Sequence, residues 1–530
     1  MRFLIAKEFF KNIPKEKIEQ VKNRIEYFYS EINEHKKTIF EAPKGFWVKK
    51  LRKNLYEFRV NSGDRILFEF REISRLGYGK KELVLLSYDK HDIVIKKGDR
   101  KDRKNLELED FEIEKTGEIF ENVEITEEEV EKIYKRISSK IMYEITSDSD
   151  LKELIENEDE YSYFYLNDQQ YEILNDEEFP LFLKGSAGSG KTTVAIRKAM
   201  ELEEYQEEKV GYITFTRSLK EKAYEMYRKF RNSEDEKMVE FYSLEELYEK
   251  ELNKKPTGVK IFDKFIYEYN PRLPKGIEEL ELYQEIRGII KGSMSSKGKG
   301  NWERDLNNAM IPKEDYLSLN KKYTIYDSKK RDEIYEFAKV YQNWLEDNNY
   351  FDENDLAREV ILKKEPKFDY IICDEVQDLT EIEIYMLTKL VKNREYVFLA
   401  GDIHQIINPT YFSFSRVRSL FYKDNYVEKA LSKNYRSQKK IVDLANQLTK
   451  LRAEYIGKLG EDYKEISILE EKDIFIDKID YDFLKKLEEN TTIVLVPTDE
   501  TKNKLRKKIP EIENKILTVQ DIKGLEFDSV

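Results

Sequence analysis

One cysteine, Cys373, occurs in a chain of 530 residues. It has no partner for a disulfide within the chain, which agrees with a reducing compartment. Long apolar runs are absent as well: none approaches the roughly 18 residues that a membrane-spanning helix needs. At the N-terminus, MRFLIAKEFFKNIPKE places Lys7 and Glu8 where a signal peptide would carry its apolar stretch. These absences argue for a cytoplasmic protein with no membrane partner. Nor is there an internal repeat period. What is present suffices for several cores, since 40% of residues are hydrophobic and 13% aromatic. The length exceeds the roughly 100–200 residues of one domain, so about three or four domains are expected.

The net charge of −13 argues against a nucleic-acid binder until it is resolved along the chain. Residues 1–104 hold 27 Lys and Arg against 16 Asp and Glu, a balance of +11, so the rest carries −13 − 11 = −24. A basic module is joined to an acidic body, and the body would need a local groove to hold a polyanion.

Residues 1–104 read as a strand at Arg2 to Ala6, helical stretches between Lys15 and Lys37, and alternating strands at LYEFRV, RILFEF, ELVLLSY and DIVIKK. Asn61-Ser62-Gly63-Asp64 fits a hairpin turn. This is a small α+β domain. Residues 105–164 are acidic, with helical spacing in TEEEVEKIYKRISSKIMYEI, and read as a connector. From Pro180 the pattern changes to nearly continuous apolar strands, LFLKG, VGYITFT, YIICDE, YVFLAGD and later TTIVLVP. Such runs are typical of parallel strands buried on both faces, so an α/β core is expected. Between Ser243 and Asp374 the sequence is charged and mostly helical, too long for a loop, and predicts an inserted helical subdomain at about 246–350.

Gly185-Ser186-Ala187-Gly188-Ser189-Gly190-Lys191-Thr192 fits G-x-x-x-x-G-K-[ST], with an apolar strand before it and a helix beginning TTVAIRKAMEL after it. Glycines in such a loop let backbone N–H groups wrap phosphates at the helix N-terminus, while Lys191 reaches the β- and γ-phosphates and Thr192 ligates Mg²⁺. ATP and Mg²⁺ are the expected cofactors, with Thr193 beside them. Asp374 and Glu375 end the strand Tyr370 to Cys373, where an open α/β sheet binds ligands. Asp374 is expected to hold Mg²⁺, and Glu375 to orient or deprotonate the attacking water. Cys373 reads as core packing.

With these residues in place, the order of motifs resembles that of superfamily 1 DNA helicases of the UvrD/Rep type. LNDQQ, with Gln170, resembles their adenine-reading motif. ITFTRSLKEKA (Thr214, Phe215, Thr216, Arg217) and FYSL (Tyr242, Ser243) resemble their DNA-contacting motifs Ia and Ib. YFDENDL resembles the aromatic-acidic signature ahead of motif II, and DEVQD resembles motif II, Gln377 being a mark of this superfamily. AGDIHQ resembles motif III, which implies that Gln405 senses the γ-phosphate. LSKNYRS resembles motif IV, implying that Tyr435 stacks on adenine and that Arg436 acts as an arginine finger. TVQDIKGLEFDSV resembles motif V, in which Thr518 would contact DNA and Gly524 and Glu526 would approach the nucleotide. After Gln405 the sequence IINPTYFSFSRV departs from the family pattern. Phe412 or Phe414 is the candidate for base stacking there and Arg416 for approaching phosphate.

The resemblance implies a P-loop, RecA-like parallel-sheet core at 165–420 with the helical insertion, and a second RecA-like lobe at 421–530. That lobe is expected to be incomplete, because the family's motif VI would follow motif V; the chain thus reads as a fragment. Residues 1–104 resemble the RelE/ParE toxin superfamily, with Arg59, Arg65 and His91 as the residues to examine and RNA, the ribosome or a protein as partners. The favoured function is an ATP-dependent helicase or translocase on single-stranded DNA. The alternatives are a nucleic-acid-gated ATPase switch controlling the N-terminal domain, and an RNA nuclease fused to a motor.

Overall fold

The computed structural model describes residues 2–6, 9–34, 39, 46, 48–51, 54–61, 63–73, 80–90, 141–144, 162–164, 166, 168–206, 208–230, 239–294, 306–320, 323–405, 414–418, 420–421, 426–455, 464–467, 493–496 and 499–518. They fall into two compact units, residues 1–176 with 225–235, and residues 177–224 with 236–530. Among the described residues no helix is long and apolar enough to cross a membrane.

The first unit holds a seven-stranded sheet of β1 (Arg2–Ala6), β2 (Lys49–Lys50), β3 (Leu55–Arg59), β4 (Asp64–Ile73), β5 (Lys80–Lys90), β6 (Ile141–Glu144) and β7 (Ser162–Phe164), in the order β2-β3-β4-β5-β1-β6-β7. Only β1 and β5 pair in parallel. The helix Ile18–Tyr29 buries Val21, Ile25 and Phe28, one face of a 3.6-residue period, and the Phe28 ring stacks on Phe58 with centroids 4.3 Å apart. At the turn after β3, Asn61 Oδ1 accepts the N–H groups of Gly63 and Asp64, each at 2.9 Å, which fixes the hairpin.

This sheet takes in more sequence than expected. The helical spacing predicts a helix end at Ile141–Glu144, yet this segment is a strand paired with both β1 and β7. Residues assigned to a connector thus complete the sheet of the basic module. A strand of four residues leaves too short a period-2 signal to compete with the helical spacing before it. The expected strand DIVIKK and His91 lie outside the described residues.

The second unit is built on a six-stranded sheet of β8 (Leu181–Gly185), β9 (Val210–Thr214), β10 (Val239–Ser243), β11 (Tyr370–Cys373), β12 (Val397–Gly401) and β13 (Val427–Leu431). The order is β10-β9-β11-β12-β8-β13, and every neighbouring pair is parallel. β8, β9, β11 and β12 are buried at each residue, which accounts for their mostly apolar sequences. β13 belongs to this sheet, not to the second lobe where the sequence put its boundary. It is an edge strand with one buried residue, Leu431, and its charged Glu428 and Lys429 suit an edge, so its sequence lacks the apolar run of its neighbours.

From β10 to β11 the described chain is helical, at Leu244–Leu252, Val259–Tyr269, Glu279–Glu285, Lys313–Leu317, Ser328–Asp347 and Glu353–Lys363. Phe262, Phe265, Ile286, Tyr316, Phe337 and Tyr341 form an apolar core of its own. Beyond β13 the described residues form two small parallel pairs, β14 (Lys433–Asn434) with β15 (Ile466–Ser467), and β16 (Val494–Val496) with β17 (Ile516–Thr518). The helices Lys439–Tyr455 and Asp499–Lys508 lie between these strands in sequence.

Candidate active site

Because all six strands of the second sheet run the same way, the segments that leave β8, β9, β11, β12 and β13 emerge on one edge. The registers are matched there: Gly401 lies beside Lys184, Leu431 beside Gly185, and Cys373 beside both Leu399 and Ile213. Residues up to about 250 positions apart in sequence are thereby gathered at the carboxyl ends of the strands.

The loop after β8 turns tightly before the helix Lys191–Gln206. Gly188 and Gly190 have φ of +76° and +88°, a region that glycine enters without a Cβ penalty. Ser189 braces the turn, its backbone N–H and its hydroxyl both donating to Ser186 O, at 3.2 and 2.8 Å. Lys191 is buried and donates from Nζ to the carbonyls of Gly185 (2.8 Å) and Ser186 (2.9 Å), so its ammonium lies in the concavity of the loop. Thr193 follows, half-buried, in the first turn of the helix.

Thr192 donates its hydroxyl to Asp374 Oδ2 at 2.7 Å, and the buried Tyr212 hydroxyl reaches the same oxygen from β9 at 3.3 Å. The other carboxylate oxygen accepts the Glu375 N–H at 3.0 Å. Burial, with the Glu375 charge beside it, pushes the Asp374 carboxyl up to about 6, against the pull of Thr192 and Lys191. Glu375 is half-buried, with a φ of +55° that turns its side chain off the strand direction; such left-handed non-glycine residues concentrate at functional sites. Burial likewise drives the Cys373 thiol well above its ordinary range, and it packs inertly in the core.

A chain of hydrogen bonds joins the ends of β11 and β12. Gln377 donates from Nε2 to Glu375 Oε2 and accepts the Asp402 N–H on Oε1 at 3.0 Å, while Gln405 Nε2 donates to Asp402 Oδ2 at 2.6 Å. Gly401 makes room for it, since a Cβ there would come within 2.6 Å of Gln377 Oε1. After β13, Tyr435 donates its N–H to Gly188 O at 3.0 Å, and the exposed Arg436 lies so close that a Cβ on Gly188 would stand 2.4 Å from its own.

The remaining expected residues are placed as follows. Thr214 is buried and donates to Thr216 O, Thr216 Oγ1 accepts the Leu219 N–H at the start of the next helix, and Arg217 is exposed near Glu246. Phe215 lies under the Arg287 guanidinium, 5.4 Å from ring centroid to carbon. Ser243 is a buried N-cap sharing a capping box with Glu246, and the Tyr242 hydroxyl donates to Glu240. Arg416, considered for phosphate, pairs with Glu381 and donates to Met294 O. Gln170 is buried in the helix Asp168–Leu174 of the first unit, where Arg59 and Arg65 also lie, and Thr518 is buried at the end of β17. Phe412, the Phe414 side chain, Gly524 and Glu526 lie outside the described residues. Sequence reading did not single out Tyr212 or Asn434, because an aromatic inside an apolar strand and an amide before a tyrosine carry no motif of their own.

A phosphate-type loop, a hydroxyl-carboxylate pair and an arginine segment on one edge of a parallel sheet define a P-loop nucleotide-binding domain. More particularly, residues 166–411 match the UvrD/REP helicase N-terminal domain, which implies a RecA-like α/β fold for the elements that carry the site. Over 427 residues the chain is 26% identical to the TPR and ankyrin repeat-containing protein 1 of Homo sapiens, covering 72% of this chain and 14% of that protein. It is 26% identical over 310 residues to a probable DNA helicase II homolog of Mycoplasma capricolum, covering 54% of this chain and 41% of the relative. It is also 24% identical over 306 residues to a putative ATP-dependent DNA helicase, YjcD, of Bacillus subtilis, covering 54% and 38%. The chain thus spans less than half the length of each of these relatives.

Proposed function

We propose that the chain is an ATP-driven motor that moves along single-stranded DNA and separates its strands. The observation that carries this reading is the convergence of Lys191, Thr192, Asp374, Glu375, Gln405 and Arg436 on one sheet edge, with the arginine segment seated on Gly188. The match at 166–411 and the two relatives named as DNA helicases support it.

The residues fit Mg-ATP. Among the described residues no group of three or more His, Cys, Asp or Glu gathers to hold a metal alone. Thr192 and Asp374 instead offer two hard oxygens beside the phosphate loop, the arrangement suited to an ion shared with phosphate oxygens. Bound there, Mg²⁺ would neutralise phosphate charge. Gly185 to Thr192 hold the phosphates, Lys191 as the cation; Glu375 takes the proton of the attacking water; Gln405 reports the phosphate end to Gln377; Arg436 offsets charge developing on the transferred group. By the motif resemblance, Tyr435, whose N–H donates to Gly188 O, is the candidate for stacking on the base. By the same resemblance, Phe215, Thr216, Arg217 and Tyr242 are the candidates for the path of the DNA, where stacking and phosphate contacts would alternate.

ATPase rates with and without single-stranded DNA, together with displacement of a labelled strand, test the reading. Stimulated turnover and displacement that both disappear in Glu375→Gln are expected. DNA-independent turnover, or displacement that survives Glu375→Gln, would overturn it.

A further inference from the structure

We infer that Asn434 is a positioning residue that seats the Arg436 segment on the phosphate loop. Its side chain is 3% exposed, at the end of the two-residue strand β14, and its amide uses each of its four hydrogen-bonding positions. Oδ1 accepts the N–H groups of Arg436 at 3.0 Å and Ser437 at 2.8 Å. Nδ2 donates to Ala187 O at 3.0 Å and to Glu465 Oε2 at 3.3 Å. One face of the amide therefore shapes the turn that carries Arg436, and the other face grips the loop between Ser186 and Gly188.

The grip is not an isolated contact. The next residue, Tyr435, donates its N–H to Gly188 O at 3.0 Å, so two successive residues bond two successive loop carbonyls. The approach is closed on the other side by Gly188, where any side chain would collide with Arg436. On the far side, Asn446 fixes Glu465, accepting its N–H at 3.1 Å and donating to its carbonyl at 3.0 Å, while Ser467 Oγ donates to Ser437 O at 2.6 Å. Asn434 thus stands between the helix Lys439–Tyr455 with its neighbouring strand β15 and the phosphate loop after β8. An amide is the side chain that suits both demands. Aspartate would keep the two acceptor bonds to the turn but would have no hydrogen for Ala187 O and would add a charge against Glu465.

That asymmetry separates a positioning role from a simple turn cap, and it rests on the ATPase reading above. In Asn434→Asp the turn is retained and the grip is lost. Misplacing a transition-state group by about 1 Å costs about 10²-fold in rate, so kcat is expected to fall at least tenfold, with nucleotide affinity, read with a fluorescent ADP, within about threefold of the parent. Hydrogen exchange on the full chain supplies a readout independent of turnover. The Tyr435 amide should exchange at least about tenfold faster while those of Arg436 and Ser437 keep their protection. Asn434→Ala should expose all three amides. Parent-like kcat and parent-like Tyr435 exchange in Asn434→Asp would overturn the inference, as would a loss of nucleotide affinity in step with the melting temperature, which would assign Asn434 to stability alone. If the parent chain itself shows no turnover, the ATPase reading fails, and the exchange contrast decides the seating by itself.

Discussion

The Thr192 hydroxyl donates to Asp374 Oδ2 at 2.7 Å, joining the first turn after the phosphate loop to the end of β11, 182 residues later. Both groups are hard oxygen ligands, and neither could hold a divalent ion alone. Thr192→Val keeps the shape and removes the hydroxyl. Nucleotide binding in the presence of Mg²⁺ should weaken by at least about tenfold, while binding in EDTA should stay at the parent value. Equal losses with and without the ion would mean that the hydroxyl serves the loop's folding instead.

Asp374 and Glu375 are adjacent but differently placed. Asp374 is buried under Thr192 and Tyr212, whereas Glu375 is half-buried in a left-handed conformation and faces Gln377. Glu375→Gln should therefore leave Mg-nucleotide affinity intact and lower turnover by about 10²–10⁴. Asp374→Asn should weaken the Mg²⁺-dependent part of binding. Titration with a fluorescent nucleotide, paired with a steady-state ATPase assay, separates the two. Identical profiles for the two variants would sink the division of roles.

The parts of the site that lie on continuous apolar strands were legible in the sequence, because a buried parallel strand writes its position in Leu, Ile and Val and its end in a glycine or a carboxylate. LFLKG, YIICDE and YVFLAGD are such cases. VEKAL was not legible, since an edge strand needs few apolar residues, and this moved the expected boundary of the second lobe. Nor was the use of YFDENDL. Asp352 and Asp355 cap a helix and face Lys291, Glu353 pairs with Arg287, and Asn354 accepts the Thr380 hydroxyl at 2.8 Å. Their partners come from segments tens of residues away, and no local spacing announces them.

Lys291 is fully buried, with Nζ 2.6 Å from Asp352 and 2.8 Å from Asp355, and the Arg358 guanidinium donates to its carbonyl. Breaking a buried ion cluster by removing one partner leaves uncompensated charge, here two carboxylates at once. Lys291→Met should destabilise the second unit by about 3–5 kcal/mol in denaturant unfolding. The triple variant that also carries Asp352→Asn and Asp355→Asn should regain part of that loss. A triple variant less stable than Lys291→Met would mean that the carboxylates act mainly as helix caps.

The last prediction concerns pH. Glu383 is buried in the helix after Asp378, where Oε2 accepts the Thr380 N–H at 2.8 Å and lies 3.1 Å from the Thr380 hydroxyl oxygen, and Oε1 lies 3.3 Å from the Tyr248 hydroxyl. Burial raises its carboxyl from 4.5 to about 7; the Arg287 guanidinium opposes the rise and the Glu353 charge adds to it. A carboxyl raised in the folded state binds its proton more tightly there than in the unfolded chain. Its contribution to stability is therefore fully present below about 4.5 and is lost as the pH rises through about 7. Glu383→Gln mimics the protonated form at every pH, so its melting temperature relative to the parent should climb between pH 5 and pH 8 on this linkage, by roughly the whole difference that the variant makes. The amide can still accept the Thr380 N–H, which keeps the helix cap in both proteins and removes it from the comparison. A difference that stays flat across this range would show that Glu383 ionises on folding without cost, and that Arg287 offsets its burial in full.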